Sequence, residues 1–194
     1  MKRIAIFASG SGTNAQRIIE YFKSNEHVEI SLVLSNKSDA FVLKRAINLN
    51  VNTFLFNKEQ LLNTDIIINK LIEKKIDLVV LAGFLLLLPE NILKAFPNRI
   101  INIHPALLPK YGGKGMYGMH VHEAVINAGE KESGISIHYV NEKYDEGQII
   151  FQTKCKLEHN ESPQSLAIKV HQLEYRYYPQ IIEKIIAEIN LKKE

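Results

Sequence analysis

Four short apolar runs, at residues 4–8, 30–34, 78–82 and 100–103, alternate for the most part with segments of helical period, and this rhythm constrains the chain more than any other feature. Strands that are apolar throughout are buried on both faces, so the alternation reads as β-α-β units of a parallel sheet covered by helices. Helices are expected at 14–24, 41–49, 64–75, 89–96 and 120–128, with a short strand at 53–55. The pattern then changes. Residues 134–140 and 148–156 both read as strands, and the connection 141–147 is too short for a parallel crossover, so this pair is expected to run antiparallel. A last helix begins with Ser162 as N-cap and Pro163 in the first turn, with a kink expected near Pro179. The expected architecture is a Rossmann-like three-layer α/β sandwich with a mostly parallel central sheet and one antiparallel pair towards the C-terminal half.

The 194 residues, 46% hydrophobic and 23% charged, suit one domain over 1–194, and no linker or repeat divides them. The net charge of +3 comes from basic residues spread along the chain, including Lys192 and Lys193, with no arginine block, so no nucleic-acid partner is expected. Cys155 is the single cysteine and has no disulfide or metal-type partner of its own kind; strand packing accounts for it. The apolar run after Met1-Lys2-Arg3 is too short for a signal peptide, and no stretch reaches the roughly 20 apolar residues that span a bilayer. A soluble, cytoplasmic protein with no membrane partner is expected.

Ser9-Gly10-Ser11-Gly12-Thr13-Asn14 follows the first strand and opens the first helix, where backbone N–H groups and the helix dipole can hold a phosphate. The alternative is a tight turn in which the glycines supply only backbone freedom and Thr13 or Asn14 caps the helix. A dinucleotide would require an acidic residue at the end of the second strand, where the chain reads Leu34-Ser35-Asn36-Lys37, so a smaller phosphorylated ligand fits better.

Asn102-Ile103-His104-Pro105 closes a strand, and residues two apart on a strand project to the same side. Pro105 ends the ladder, leaving Asn102 and His104 together at the carboxyl edge, where open α/β sheets bind ligands. A carboxamide and a protonated imidazole suit acyl transfer, since attack on a carbonyl builds negative charge on its oxygen. Keeping that imidazole charged requires a nearby carboxylate. The acids of the turn 141–147, Glu142, Asp145 and Glu146, read on composition alone as a solvated hairpin loop. His138, near a strand end, either points into the site or lines it. His120 and His122 lack the i, i+4 spacing of helical metal ligands, so no metal is expected.

With these motifs in place, the chain resembles the glycinamide ribonucleotide formyltransferases, the folate-dependent family of purine synthesis, over nearly its whole length. The resemblance rests on Ala8-Ser9-Gly10-Ser11-Gly12-Thr13-Asn14, Ser35-Asn36-Lys37-Ser38-Asp39-Ala40, Leu81-Ala82-Gly83-Phe84, Asn102-Ile103-His104-Pro105-Ala106-Leu107-Leu108-Pro109-Lys110-Tyr111 and Asp145-Glu146-Gly147-Gln148-Ile149-Ile150, in family order. It implies a formyltransferase fold and a catalytic trio of Asn102, His104 and Asp145, the aspartate raising the pKa of the histidine. It implies that Gly12, Thr13 and Asn14 hold the phosphate of glycinamide ribonucleotide and that Glu174 contacts the same substrate. Leu85, Leu86, Leu87, Leu88 and Asn102, with the loop before Asp145, would form the pocket for 10-formyltetrahydrofolate, the formyl donor. The implied partners are small molecules, and monomer and homodimer are both compatible with the sequence.

The chain departs from the family in three places. Gly83-Phe84-Leu85-Leu86 stands where relatives read Gly-Phe-Met-Arg, a second family arginine before the third helix has no counterpart, and residues 111–119 form a longer, glycine-rich loop. That loop reads equally as a mobile flap and as a flexible surface insert. Formylation of another acceptor is the nearest rival activity, and a non-catalytic phosphate- or folate-binding module is the rival of another class.

Overall fold

A computed structural model describes residues 1–191; Lys192 and Lys193 lie outside the described residues. The strands are β1 (Lys2–Phe7), β2 (Val28–Ser35), β3 (Thr53–Leu55), β4 (Leu78–Leu81), β5 (Ile100–His104), β6 (Glu132–Tyr139) and β7 (Ile149–Lys156). The helices are α1 (Thr13–Phe22), α2 (Phe41–Asn48), α3 (Lys58–Asn63), α4 (Ile66–Glu73), α5 (Glu90–Ala95), α6 (Met119–Asn127) and α7 (Pro163–Leu191). One sheet contains all seven strands in the order β3-β2-β1-β4-β5-β6-β7. β1 to β5 pair parallel to their neighbours. The expected antiparallel pair β6-β7 is joined by a second, because β6 also runs antiparallel to β5.

Each sheet face carries its own core. Ile4, Ile6, Leu78, Val80, Ile101 and Ile103 pack with α1, α2, α6 and α7, while Ala5, Phe7, Val79, Leu81 and Ile100 pack with α3, α4 and α5. This is the three-layer arrangement that the uniformly apolar strands require. α1 buries Ala15, Ile18, Ile19 and Phe22, the i, i+3, i+4, i+7 stripe of a one-sided helix. In α7 the buried positions Leu166, Val170, Glu174, Tyr178, Ile182 and Ile186 recur every four residues, so a carboxylate sits within an otherwise mainly apolar stripe. Tyr178 crosses to the sheet, its hydroxyl donating to the Leu81 carbonyl at 2.9 Å.

Ser162 caps α7 as expected, its hydroxyl accepting from the Ser165 N–H at 3.1 Å, and the helix continues through the buried Pro179. Periodicity does not reveal α3. It is fixed by a capping box, in which Asn57 Oδ1 accepts from the Gln60 N–H at 2.8 Å and Gln60 Oε1 accepts from the Asn57 N–H at 2.9 Å. Cys155 is partly buried on β7 and unpaired, its thiol pKa pushed up by burial. No helix among the described residues is long and apolar enough to cross a membrane.

Strand order reverses direction at β1, with β2 on one side and β4 on the other, so a crevice opens beyond the carboxyl ends of β1 and β4. The segments leaving β1, β4 and β5 all line it.

Candidate active site

A cavity of about 800 Å³ occupies this crevice. Its walls include Gly12, Thr13, Asn14, the four leucines Leu85, Leu86, Leu87 and Leu88, Asn102, His104, His138, Asp145 and Glu174. Every site residue expected from the sequence therefore borders one space.

At the α1 end the site is backbone. Gly12 occupies the N-cap in the left-handed region (φ 74°) and no side chain caps the helix, so the alternative in which Thr13 or Asn14 caps it does not hold. A Cβ on Gly12 would lie 2.4 Å from the Val42 side chain, which reserves the position for glycine. Arg45 Nε donates to the Ser11 carbonyl at 2.9 Å, and the Val42 N–H donates to the Gly10 carbonyl at 3.1 Å. These bonds turn loop carbonyls towards α2 and leave the first-turn N–H groups of α1 for an anion.

Glu174 reaches the same end from α7, 4% exposed, accepting from Asn14 Nδ2 and from His171 Nδ1, each at 2.9 Å. The bond to Glu174, with the carboxylate charge, raises the pKa of His171 above an ordinary imidazole. Asn14 Oδ1 and His122 Nδ1 are buried without a hydrogen-bond partner. Both residues border the cavity, with these two atoms set behind its wall. His122 is buried while the side chain of His120 is 66% exposed, so the two rings diverge. Among the described residues no cluster of three or more His, Cys, Asp or Glu is arranged to hold a metal ion.

At the β5 end the site is built of side chains. The β5-β6 register pairs Asn102 with His138 and His104 with Ser136, which puts all four side chains on one face. His138 thus points into the site. Asp145 is the hub: its Oδ2 lies 3.5 Å from His104 Nδ1 and accepts from the Gly113 N–H at 2.9 Å. Its Oδ1 lies 3.6 Å from His138 Nε2 and 3.4 Å from Asn102 Nδ2. Asn102 Nδ2 also meets His138 Nε2 at 3.1 Å.

Carbonyl contacts assign the protons. His104 Nε2 lies 2.8 Å from the Tyr111 carbonyl and His138 Nδ1 lies 2.8 Å from the Tyr139 carbonyl. A carbonyl only accepts, so both nitrogens donate. In a neutral His104 ring Nδ1 then offers a lone pair towards Asp145, while His138 Nε2 stands beside both the Asn102 amide and Asp145 Oδ1.

The charge state of His104 departs from the sequence expectation. Burial lowers its pKa, Asp145 and the Tyr111 carbonyl push it back up, and burial wins, so the resting ring is neutral at pH 7. For Asp145 burial acts upward, but the hydrogen bond from His138, the charge His104 carries once protonated and the Gly113 N–H together outweigh it and the pKa is lowered. The resting centre is an anionic carboxylate facing an unprotonated imidazole nitrogen, an arrangement that gains when a proton arrives.

Ser136 was not singled out by the sequence, yet it fastens the strand-loop junction after His104. Its hydroxyl donates to the Ala106 carbonyl at 2.6 Å and accepts from the Leu108 N–H at 2.9 Å and from Gln152 Nε2 at 2.8 Å. Its position two residues before His138 was the available signal. Ser9, also missed, ties β1 to the leucine wall by donating to Asn36 Oδ1 at 2.7 Å and accepting from the Leu85 N–H at 3.2 Å. Leu85 to Leu88 lie in irregular backbone between β4 and α5, so their amides are outside strand or helix pairing while their side chains give an apolar flank. The glycine-rich loop borders the cavity with Gly113, Lys114, Gly115, Met116, Tyr117, Gly118 and Met119.

A helix N-terminus with free amides and a carboxylate-imidazole cluster share the switch-point crevice of an open α/β sheet, the place at which the class of ligand-binding α/β proteins holds its ligands. Comparison with known proteins narrows the class. The Formyl transferase family model matches residues 2–182, and the chain belongs to that family. It is 37% identical over 96% of its length to the chloroplastic phosphoribosylglycinamide formyltransferase of Arabidopsis thaliana, spanning 66% of that relative, just under two thirds. With the phosphoribosylglycinamide formyltransferase of Bacillus subtilis (strain 168) it shares 32% identity, covering 96% of this chain and 95% of the relative. The crystal structure of phosphoribosylglycinamide formyltransferase from Anaplasma phagocytophilum superposes with a TM-score of 0.88 at 33% identity, covering 96% of this chain and 87% of that one.

Proposed function

We propose that this protein transfers the formyl group of 10-formyltetrahydrofolate to the amine of glycinamide ribonucleotide, giving formylglycinamide ribonucleotide and tetrahydrofolate, as a cytoplasmic step of purine synthesis. The observation that carries the reading is the meeting of three elements in one cavity: the backbone cradle at Gly12, the leucine wall and the Asp145 cluster. The cavity volume falls within the range of about 300–1,000 Å³ typical of small-molecule sites. The names of relatives at 37% and 32% identity point the same way.

In this reading Gly12, Thr13 and Asn14 take the phosphate, and Glu174, flanked by the unpartnered Asn14 Oδ1 and His122 Nδ1, takes polar groups of the same substrate. Leu85, Leu86, Leu87 and Leu88 hold the folate ring by apolar contact and backbone hydrogen bonds. The amine forms a bond to the formyl carbon, and the carbonyl oxygen becomes an anion. Asn102 Nδ2 donates to that oxygen, exchanging its long 3.4 Å contact with Asp145. His104 Nδ1 takes the proton shed by the nitrogen, and the imidazolium pairs with Asp145. The same proton is returned to the folate nitrogen as its bond to the formyl carbon breaks. The scheme calls for no metal ion and no covalent enzyme intermediate, and a monomer or a homodimer can perform it.

The test is to incubate the protein with 10-formyltetrahydrofolate and glycinamide ribonucleotide, each alone and together, following folate absorbance. Change only with both present is expected; no change, or equal change without the acceptor, overturns the reading.

A further inference from the structure

The segment after β5 threads between the two members of the proton-accepting pair. The Tyr111 carbonyl accepts from His104 Nε2 at 2.8 Å, and two residues later the Gly113 N–H donates to Asp145 Oδ2 at 2.9 Å. Between them there is no spare room: a Cβ on Gly112 would lie 2.6 Å from Leu108 Cδ2 and 3.2 Å from Asp145 Cβ. Residues 111–113 therefore fix the ring and the carboxylate relative to each other. The Tyr111 carbonyl also decides which nitrogen of His104 carries the resting proton and which is left to receive one.

Tyr111 performs this from an unfavourable backbone conformation. Its φ is 58°, in the left-handed region, which is costly for a residue with a side chain. The compensating contact lies on the far side of the residue. The Tyr111 hydroxyl donates to Glu130 Oε1 at 2.9 Å, and Lys110 Nζ reaches the same oxygen at 2.8 Å. Glu130 follows Gly129, whose φ of 66° turns the chain after α6. Tyr111, Lys110 and Glu130 line a separate groove of about 290 Å³ and are absent from the walls of the catalytic cavity.

We propose that Tyr111 and Glu130 are positioning residues for the transfer: their hydroxyl-carboxylate bond, outside the cavity, holds the Tyr111 carbonyl against His104 and keeps His104 Nδ1 as the proton acceptor facing Asp145. The inference rests on the formyl-transfer reading. The charged and titratable groups that act on His104 are Asp145 and Glu174, which favour its charged form, and His138, which opposes it; none belongs to the tether. The tether thus acts through ring orientation. Lys110, its side chain 67% exposed, contributes little.

The test uses Tyr111→Phe, which keeps the carbonyl and loses the hydroxyl, Glu130→Ala, and Glu130→Gln, which keeps an acceptor oxygen. Tyr111→Phe and Glu130→Ala are expected to lower kcat about three- to tenfold, the worth of one such hydrogen bond, with both KM values unchanged. Glu130→Gln is expected to retain most of the activity. In ¹⁵N spectra the His104 ring is expected to pass from a single Nε2–H tautomer in the unaltered protein to a mixture in Tyr111→Phe and Glu130→Ala. The tautomer readout requires no substrate, so it separates the two readings. Absence of formyl transfer by the unaltered protein overturns the function, whereas a single tautomer or an unchanged kcat in folded Tyr111→Phe overturns the tether.

Discussion

At the α1 end of the cavity the groups offered to an anion are backbone N–H groups from one continuous run, residues 12–14, with the Glu174 carboxylate beside them, whereas at the β5 end the cavity is met by side chains drawn from positions 102, 104, 138 and 145. The difference teaches what each end tolerates. A backbone site survives changes of side chain and fails when the chain cannot adopt its conformation. A side-chain site is the reverse: its scaffold of paired strands accepts truncation of a projecting group, while the chemistry disappears with the group.

The largest effects should come from the side-chain end. Asn102→Ala, His104→Ala and Asp145→Ala are each expected to lower kcat by about 100- to 1,000-fold, measured by steady-state kinetics, with the far-UV circular dichroism spectrum unchanged. Near-normal turnover in any one removes that residue from the mechanism. A middle effect is expected from Gly12→Ala, which sets a Cβ 2.4 Å from Val42 in a left-handed conformation. It should cost about 1–3 kcal/mol of stability in denaturant titration and raise the KM for glycinamide ribonucleotide several-fold, leaving kcat nearly intact. The smallest belongs to Thr13→Ala. If the phosphate is held by amides, KM and kcat should stay within about twofold; a larger loss would mean that the Thr13 hydroxyl is a ligand and the two ends are alike.

The same contrast explains which parts could be read from the sequence. The glycine loop and the Asn102-x-His104 pair are local signals, one a turn and the other a period of two, and both stand where local rules put them. Asp145 has no such signature. Its loop carries three acids, of which Glu142 and Glu146 are exposed and Glu146 pairs with Lys143 at 3.0 Å, while Asp145, at φ 57°, turns inward. Only the pairing of β6 with β5 brings that turn beside His104, and strand partners are not written in a single strand. Glu174 was legible in principle, since it interrupts the stripe Leu166, Val170, Tyr178, Ile182 and Ile186 with a carboxylate. The Tyr111 tether was not, because it joins a loop to the residue after a helix turn. α3 carries an Asn57 to Gln60 capping signature, but its six residues are too few to display a helical period. The resting charge of His104 is not legible in the sequence, for a physical reason. A neighbouring carboxylate can be guessed from sequence, whereas the desolvation that outweighs it exists only once β5, β6 and the 111–113 segment have closed around the ring.

The resting site waits for a proton. Titrating the His104 ring of the ligand-free protein by ¹⁵N NMR tests it most directly. The ring is expected to be neutral at pH 7 with hydrogen on Nε2, and to protonate only below the usual histidine value of about 6.5. An imidazolium already present at pH 7, or a neutral ring with hydrogen on Nδ1, would contradict it.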